Sequence, residues 1–411
     1  MSRLAVVTSH PIQYQAPWFR ALAQVVDLEV FFCHRQDGAG QADAGFGRTF
    51  DWDIPLLDGY RYRWLRNVAP RPSVDRFSGC NTPEIADLLR DGGFDACLVS
   101  GWYLRSYVQA IRACWALRMP VLMRGDSHLA TPRSGLKTAA KYLPYRWLLR
   151  HLDAHLYVGQ ANRAYLQHYG VADERLFFAP HFVDNDRFAE SAARARASGA
   201  AAALRAAAGA TPDAPMFLFA GKLVAHKRAS DFIQALAGLR ASGRVVHGLI
   251  VGSGPDEAAL RELAGTLGAP VHFTGFRNQS EMPVCYAAAD CLVLPSISET
   301  WGLVVNEAMA CGLPAIVSDV AGSAEDLIET GATGYTYPAG GIPQLWDRMS
   351  EVASRLEQDR TAFALPVRRK IARYACDAAI VGTLQALEAV SPRVRPVAPE
   401  ATPVFSRGDR S

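Results

Sequence analysis

The chain of 411 residues has no stretch of about 18 consecutive apolar residues, so no membrane-spanning helix is expected. Met1 to Thr8 carries one basic residue and too short an apolar run for a secretory signal. Cysteine pairing motifs are missing too. Cys33, Cys80, Cys97, Cys114, Cys285, Cys291, Cys311 and Cys376 form no C-x-x-C pair, which argues against a zinc site or a disulfide frame. Buried thiols in a reducing cytoplasm are the expectation. Net charge is only +3, too little for a coat that binds nucleic acid. Gly252-Ser253-Gly254-Pro255-Asp256-Glu257 lacks the third glycine of a dinucleotide fingerprint, which argues against a dehydrogenase.

What is present is an ordinary globular composition, 50% hydrophobic and 20% charged, long enough for two or three domains. The charge is unevenly spread. Gly101 to Gly170 holds ten Lys/Arg against Asp126 and Asp153, a local +8 that leaves −5 for the rest. Within it, Arg133, Lys137, Lys141, Arg146 and Arg150 stand among Leu, Tyr and Trp. This is either a solvated basic face or a helix able to touch an anionic membrane from the cytoplasmic side.

Short apolar runs alternate with helical stretches, the pattern of a parallel α/β sheet. Leu4 to Thr8, Leu28 to Cys33, Ala96 to Ser100, Pro120 to Arg124, His155 to Val158 and Leu176 to Ala179 read as strands of a first domain, residues 1–189. Gln36 to Phe50 is polar and Gly-rich and reads as a mobile loop. His10, Gln13 and Tyr14 follow the first strand, where an open α/β sheet faces its ligand crevice, and are candidate acceptor contacts. Asp126 and His128 follow another strand and are candidates for proton transfer or hydroxyl binding. Thr82 to Leu89 and Ser106 to Leu117 read as helices. A second series, residues 190–366, begins after an Ala-rich connection. Val367 to Val390 reads as one long helix, and Pro392 to Ser411 as a disordered tail.

The stretch from Asp290 to Asp319 is a strand, loop, helix and strand. Glu299 lies in the loop. Glu307 lies on the helix in an apolar setting, where a carboxylate is costly unless paired. The amides at Gly302 and Leu303 open the helix and suit a phosphate or a sugar oxygen. A loop-capping Glu299 and a salt-bridged Glu307 are the plainer alternatives.

Four segments occur in order: Gly221-Lys222 with Lys227, Val251 to Pro255, Val271 to Phe276, and Glu299 with Glu307. Ala315 to Asp319, Gly331 to Tyr335 and Val183 to Phe188 continue the pattern. Together they resemble the retaining GT-B glycosyltransferases of the "glycosyl transferases group 1", or family 4, type. The likeness is specific from Val158 to Gly340 and weak before that. It implies a GT-B fold of two Rossmann-like domains with a cleft between them and a C-terminal helix, 367–391, crossing back to the first. It implies a nucleotide-sugar donor, a glycan, lipid-linked or small-molecule acceptor, and no metal or other cofactor. Glu299 would contact the donor sugar and Glu307 the ribose. Lys222 and Lys227 would clamp the diphosphate, assisted by Gly302 and Leu303. Thr300, Trp301, Gly252, Gly275 and Phe276 would complete the donor side. Lys222 stands where the family commonly has Arg, which keeps the charge but loses a bidentate fork. The usual glycine pair of the first loop is absent.

Asp184-Asn185-Asp186 and Asp51-Trp52-Asp53 imitate the D-x-D metal motif of the other glycosyltransferase fold. Neither has a second ligand cluster nearby in sequence. A sugar-nucleotide epimerase of the same fold and a non-catalytic sugar-nucleotide-binding protein are the rival readings.

Overall fold

A computed structural model of the chain describes residues 2–35, 50–130 and 135–390, without the side chains of 136–138. The expected loop Gln36 to Phe50 apart from Phe50, the basic residue Arg133, the Lys137 side chain and the tail Pro392 to Ser411 lie outside the described residues.

The first domain is a parallel sheet of seven strands. They are Arg3–Thr8 (β1), Asp27–Phe32 (β2), Arg61–Trp64 (β3), Ala96–Val99 (β4), Val121–Gly125 (β5), Ala154–Tyr157 (β6) and Leu176–Phe178 (β7). Their order is β3-β2-β1-β4-β5-β6-β7. Alternate side chains feed two cores. Ala5, Val7, Cys97 and Val99 face one; Leu4, Val6, Ala96 and Leu98 face the other. Both faces being covered explains why the central strands read as continuous apolar runs.

The edge strand β3 is absent from the pattern reading. Its sequence, Arg-Tyr-Arg-Trp, is mostly exposed, and Arg61 and Arg63 lean on Asp27 and Glu29 of β2. An edge carrying charge looks like a loop by composition.

The second domain is a parallel sheet in the order β10-β9-β8-β11-β12-β13. Its strands are Met216–Ala220 (β8), His247–Val251 (β9), Val271–Gly275 (β10), Cys291–Leu294 (β11), Ala315–Ser318 (β12) and Gly334–Tyr337 (β13). Both sheets reverse their order beside the first strand of each series, the arrangement that opens a crevice at the strand carboxyl ends.

The chain crosses between domains twice. Phe182 belongs to a first-domain core and Val183 to the second, so the passage lies before the expected Ala189. The helix Asn185–Ala197 then packs on the second domain, with Asp184 capping it by accepting from the Arg187 N–H at 3.1 Å.

The return passage follows Tyr374. The single expected C-terminal helix is two, Ala364–Ile371 and Cys376–Val390. The first packs on the second domain, and the second returns to the first. No Gly or Pro marks the break. Asn185 fastens it, donating through Nδ2 to the carbonyls of Ile371 at 3.2 Å and Tyr374 at 3.3 Å. Gly382 lies inside the returning helix because a Cβ there would stand 1.9 Å from the Phe178 carbonyl of β7.

Candidate active site

The strand ends of both sheets meet across the crevice. On the second domain, β8 runs into Gly221 and Lys222, and a short turn brings up Lys227. Gly252, at the end of β9, has φ 143, and a Cβ there would stand 1.8 Å from the Gly221 carbonyl. The two loops therefore touch backbone to backbone, which only glycine permits. Lys227 Nζ forms an ion pair with Glu299 Oε2. Burial and the nearby Lys227 charge lower the Lys222 pKa, while Asp75 and Glu299 act in the opposite direction. Two ammonium groups and one carboxylate thus share a single patch.

Glu299 is held in place through its backbone. It bridges to Ala321, and its carbonyl accepts from Gly322 N–H at 3.2 Å and lies 2.9 Å from His128 Nε2. His128, a candidate for proton handling, is 4% exposed. Its ring supports the Glu299 loop from the first domain, so its effect runs through Glu299.

Gly302, with φ 92, opens the helix Leu303–Ala310, whose first-turn amides lack partners within the helix. Glu307 lies one turn in and is 3% exposed. It accepts from Tyr286 Oη at 2.5 Å, Tyr14 Oη at 2.9 Å and Gln279 Nε2 at 3.2 Å. Burial raises its pKa, and the three donors pull the other way. Tyr14, expected on the acceptor side, therefore reaches across to Glu307 of the second domain.

Phe276 packs at a tilt against Phe50 of the first domain, ring centroids 4.5 Å apart, just beyond Gly275, whose φ is 74. Trp301 departs from its expected place in the donor site. It is 3% exposed, donates to Asn306 Oδ1 at 2.8 Å and packs against His181 and Tyr374. A large apolar ring with its N–H satisfied belongs in the seam between domains. The neighbouring Thr300 hydroxyl instead faces Asp126.

On the first domain, Asp126 directly follows β5. Burial acts to raise its pKa, but the His181 ring and the Thr300 hydroxyl outweigh that and hold it low. His181 Nε2 is 3.8 Å from Asp126 Oδ2, beyond hydrogen-bond reach, and burial lowers the pKa of its ring. Solvent still meets 44% of the Asp126 side chain, through a cavity of about 150 Å³. His10 lies alongside, bonded to Ser9 at 3.0 Å; burial, then the charge of His34, lowers its pKa to about 4. Gln13 is half-buried on the same loop and helps to orient the Tyr14 hydroxyl.

His181 and Arg124 were not among the sequence candidates. The signal was their place: Arg124 lies in β5 and His181 just after β7, both at the crevice end. The D-x-D imitations are spent locally, Asp184 on its helix cap and Asp53 on the Ser280 N–H and hydroxyl. Among the described residues, no cluster of three His, Cys, Asp or Glu could hold a metal. A cavity of about 1090 Å³ lies behind the crossings and touches none of Lys222, Lys227, Glu299 or Asp126.

Residues 201–375 match the family model described as Glycosyl transferases group 1. The match covers 175 of the 411 residues, about two fifths of the chain and most of the second domain. A GDP-mannose-dependent alpha-mannosyltransferase of Mycobacterium tuberculosis is 36% identical over 162 residues, 39% of each chain. A D-inositol 3-phosphate glycosyltransferase of Nocardia farcinica is 34% identical over 182 residues, 42% of this chain and 38% of the relative. The matched stretch thus spans about two fifths of these relatives' length. A glycosyltransferase structure from Rickettsia africae superposes with TM-score 0.72 at 12% identity, covering 96% of this chain and 99% of that one. The likeness extends over both domains, and the fold is GT-B.

Proposed function

We propose that the chain is a retaining glycosyltransferase that moves a sugar from a nucleotide-diphosphate donor to a glycan, lipid-linked or small-molecule acceptor, in polysaccharide or glycoconjugate assembly. The observation that carries the reading is the single patch formed by Lys222, Lys227, Glu299 and the start of the helix Leu303–Ala310. Transfer releases a diphosphate, so positive groups must meet charge as it develops. Two ammonium groups beside a helix start supply this without a metal ion. Glu299, now paired with Lys227, would turn to the donor sugar as the diphosphate takes up the lysine. Glu307, one turn deeper, would receive the ribose.

The donor binds mainly to the second domain and the acceptor enters from the first. A front-face course fits this geometry. The departing phosphate oxygen takes the acceptor hydroxyl proton, the new glycosidic bond forms on the same face, and the lysines hold the diphosphate. Closure of the cleft excludes water and strengthens these contacts. Incubation with radiolabelled UDP-, GDP- and ADP-sugars separates the possibilities: net transfer supports the reading, sugar isomerisation would make the protein an epimerase, and binding without turnover a silent binder.

No described helix is long and apolar enough to cross a membrane. The helix Gly135–Arg150 presents Leu143 at 71% and Trp147 at 55% exposure, with Lys141 and Arg150 also exposed and Arg146 half-buried. Exposed apolar groups among cations suit peripheral contact with the anionic inner face of a membrane. Cosedimentation with anionic vesicles at low salt, fading as salt rises, is the expected result; no cosedimentation at low salt would remove the idea.

A further inference from the structure

The cavity beside Asp126 gathers polar atoms that the protein leaves without partners. Arg124 Nε, Ser100 Oγ and His181 Nε2 are shielded from solvent and have no hydrogen-bond partner among the described residues. All three side chains line this one space of about 150 Å³, with Asp126, Gln15 and Tyr103. Arg124 is the most telling. It is 8% exposed, its guanidinium lies 4.7 Å over the Trp18 ring, and Nη2 is committed to the Pro180 carbonyl at 3.2 Å. Its Nε donor remains. Buried donors are almost always satisfied, so a group of exceptions around one cavity calls for an explanation.

Size and charge narrow the ligand. The volume equals the liquid share of about five waters, room for one saccharide ring and not two. The Arg124 cation is offset by the Asp126 carboxylate, and among the described residues no second cation lines the space. A phosphorylated ring would set its charge against Asp126. A neutral ring brings several hydroxyls, each able both to donate and to accept, which the orphan atoms require.

We propose that this cavity takes one neutral, hydroxyl-bearing saccharide ring of the acceptor, with Arg124 and Ser100 donating to its non-reacting hydroxyls and Asp126 and His181 orienting the reactive one. The assignment rests on the glycosyltransferase reading. It adds Arg124, Ser100 and His181 as specificity residues and excludes an anionic ring at this position.

The test is saturation-transfer NMR on the full chain with methyl α-glycosides of glucose, mannose and galactose and with the matching 6-phosphates. Thermal shift with UDP and GDP reports the donor side separately. At least one neutral glycoside should receive saturation, its 6-phosphate less. Ser100→Ala should weaken the glycoside by about 5-fold, the scale of one net hydrogen bond, while the nucleotide shift stays as in the parent protein. His181→Asn should weaken it similarly. Silence from all neutral glycosides, stronger signals from the 6-phosphates, or undiminished signals in both variants overturns the proposal. If nucleotides still shift the melting temperature in those cases, only the acceptor assignment falls. If no nucleotide binds and no sugar is transferred, the underlying reading falls with it.

Discussion

The two walls of the crevice treat their polar groups in opposite ways. On the second domain every key group has a partner in the chain: Lys227 holds Glu299, and Glu307 takes three donors. On the first, Arg124, Ser100 and His181 retain buried atoms with none. The ions of both walls keep a counter-charge, Glu299 for Lys227 and Asp126 for Arg124, because an unpaired buried ion is far costlier than an unpaired dipole. What the first wall leaves open are single N–H, O–H and ring-nitrogen positions. That wall tolerates a modest standing penalty, which a ligand rich in hydroxyls relieves.

The largest expected effect tests the second-domain wall. Glu299→Ala and Lys227→Ala should each lower transfer turnover by ~10²-fold or more, the scale of one electrostatic contact in a closed site. Turnover near the parent value in both variants would show that the pair is structural.

Acid should separate the two domains next. Burial lowers the pKa of His10 and of His155 to about 4, in the latter case against the Leu149 backbone bond that favours the charged ring. Unfolded, both titrate near 6.5. The fold therefore prefers the neutral rings. Their full contribution is present above pH 6.5 and is lost as pH falls from 6.5 toward 4. For the wholly buried His155 the loss is on the order of 1–3 kcal/mol. The second domain carries buried carboxylates instead. Burial raises the pKa of Glu307 and of Asp326, so their penalty eases as pH falls through those raised values. His247 in the second domain is lowered too, but it lies nearer solvent. Hydrogen exchange at pH 6.5 and 4.5, corrected for intrinsic rates, should show first-domain strands losing protection first. Equal loss in both domains would contradict the contrast.

The smallest effect concerns the bond that joins the walls. Tyr14 Oη occupies one oxygen of Glu307, the carboxylate proposed to receive the ribose. Tyr14→Phe should tighten nucleotide binding by roughly 5-fold, the net worth of one hydrogen bond, as read by calorimetric titration. Weaker binding would make Tyr14 a helper of the donor rather than its competitor.

How much was legible in the sequence follows the same division. The second-domain wall is built from short motifs with fixed chemistry: Gly252 must be glycine because a Cβ there would meet the Gly221 carbonyl, Glu299 marks the loop, and Glu307 stands out as an acid in apolar surroundings. The alternating pattern carries the fold class, and the resemblance to a known family, rather than the residues alone, joins the two lysines to the two acids. The first-domain wall is assembled from single residues at the ends of separate strands, Ser100 after β4, Arg124 in β5 and His181 after β7, and no local spacing links them. Trp301 was misplaced because proximity to Glu299 in sequence says nothing about which way a loop side chain turns. The break between the last two helices escaped because tertiary packing and Asn185, rather than Gly or Pro, impose it.

The paired crossings carry a mechanical consequence. Because the outgoing and returning segments are fastened side by side by Asn185, they behave as one two-stranded pivot that restricts the lobes to rotation about a single line. A protease cut in either strand would leave the lobes tethered by the other, whereas severing the Asn185 ties would loosen the direction of swing without separating anything.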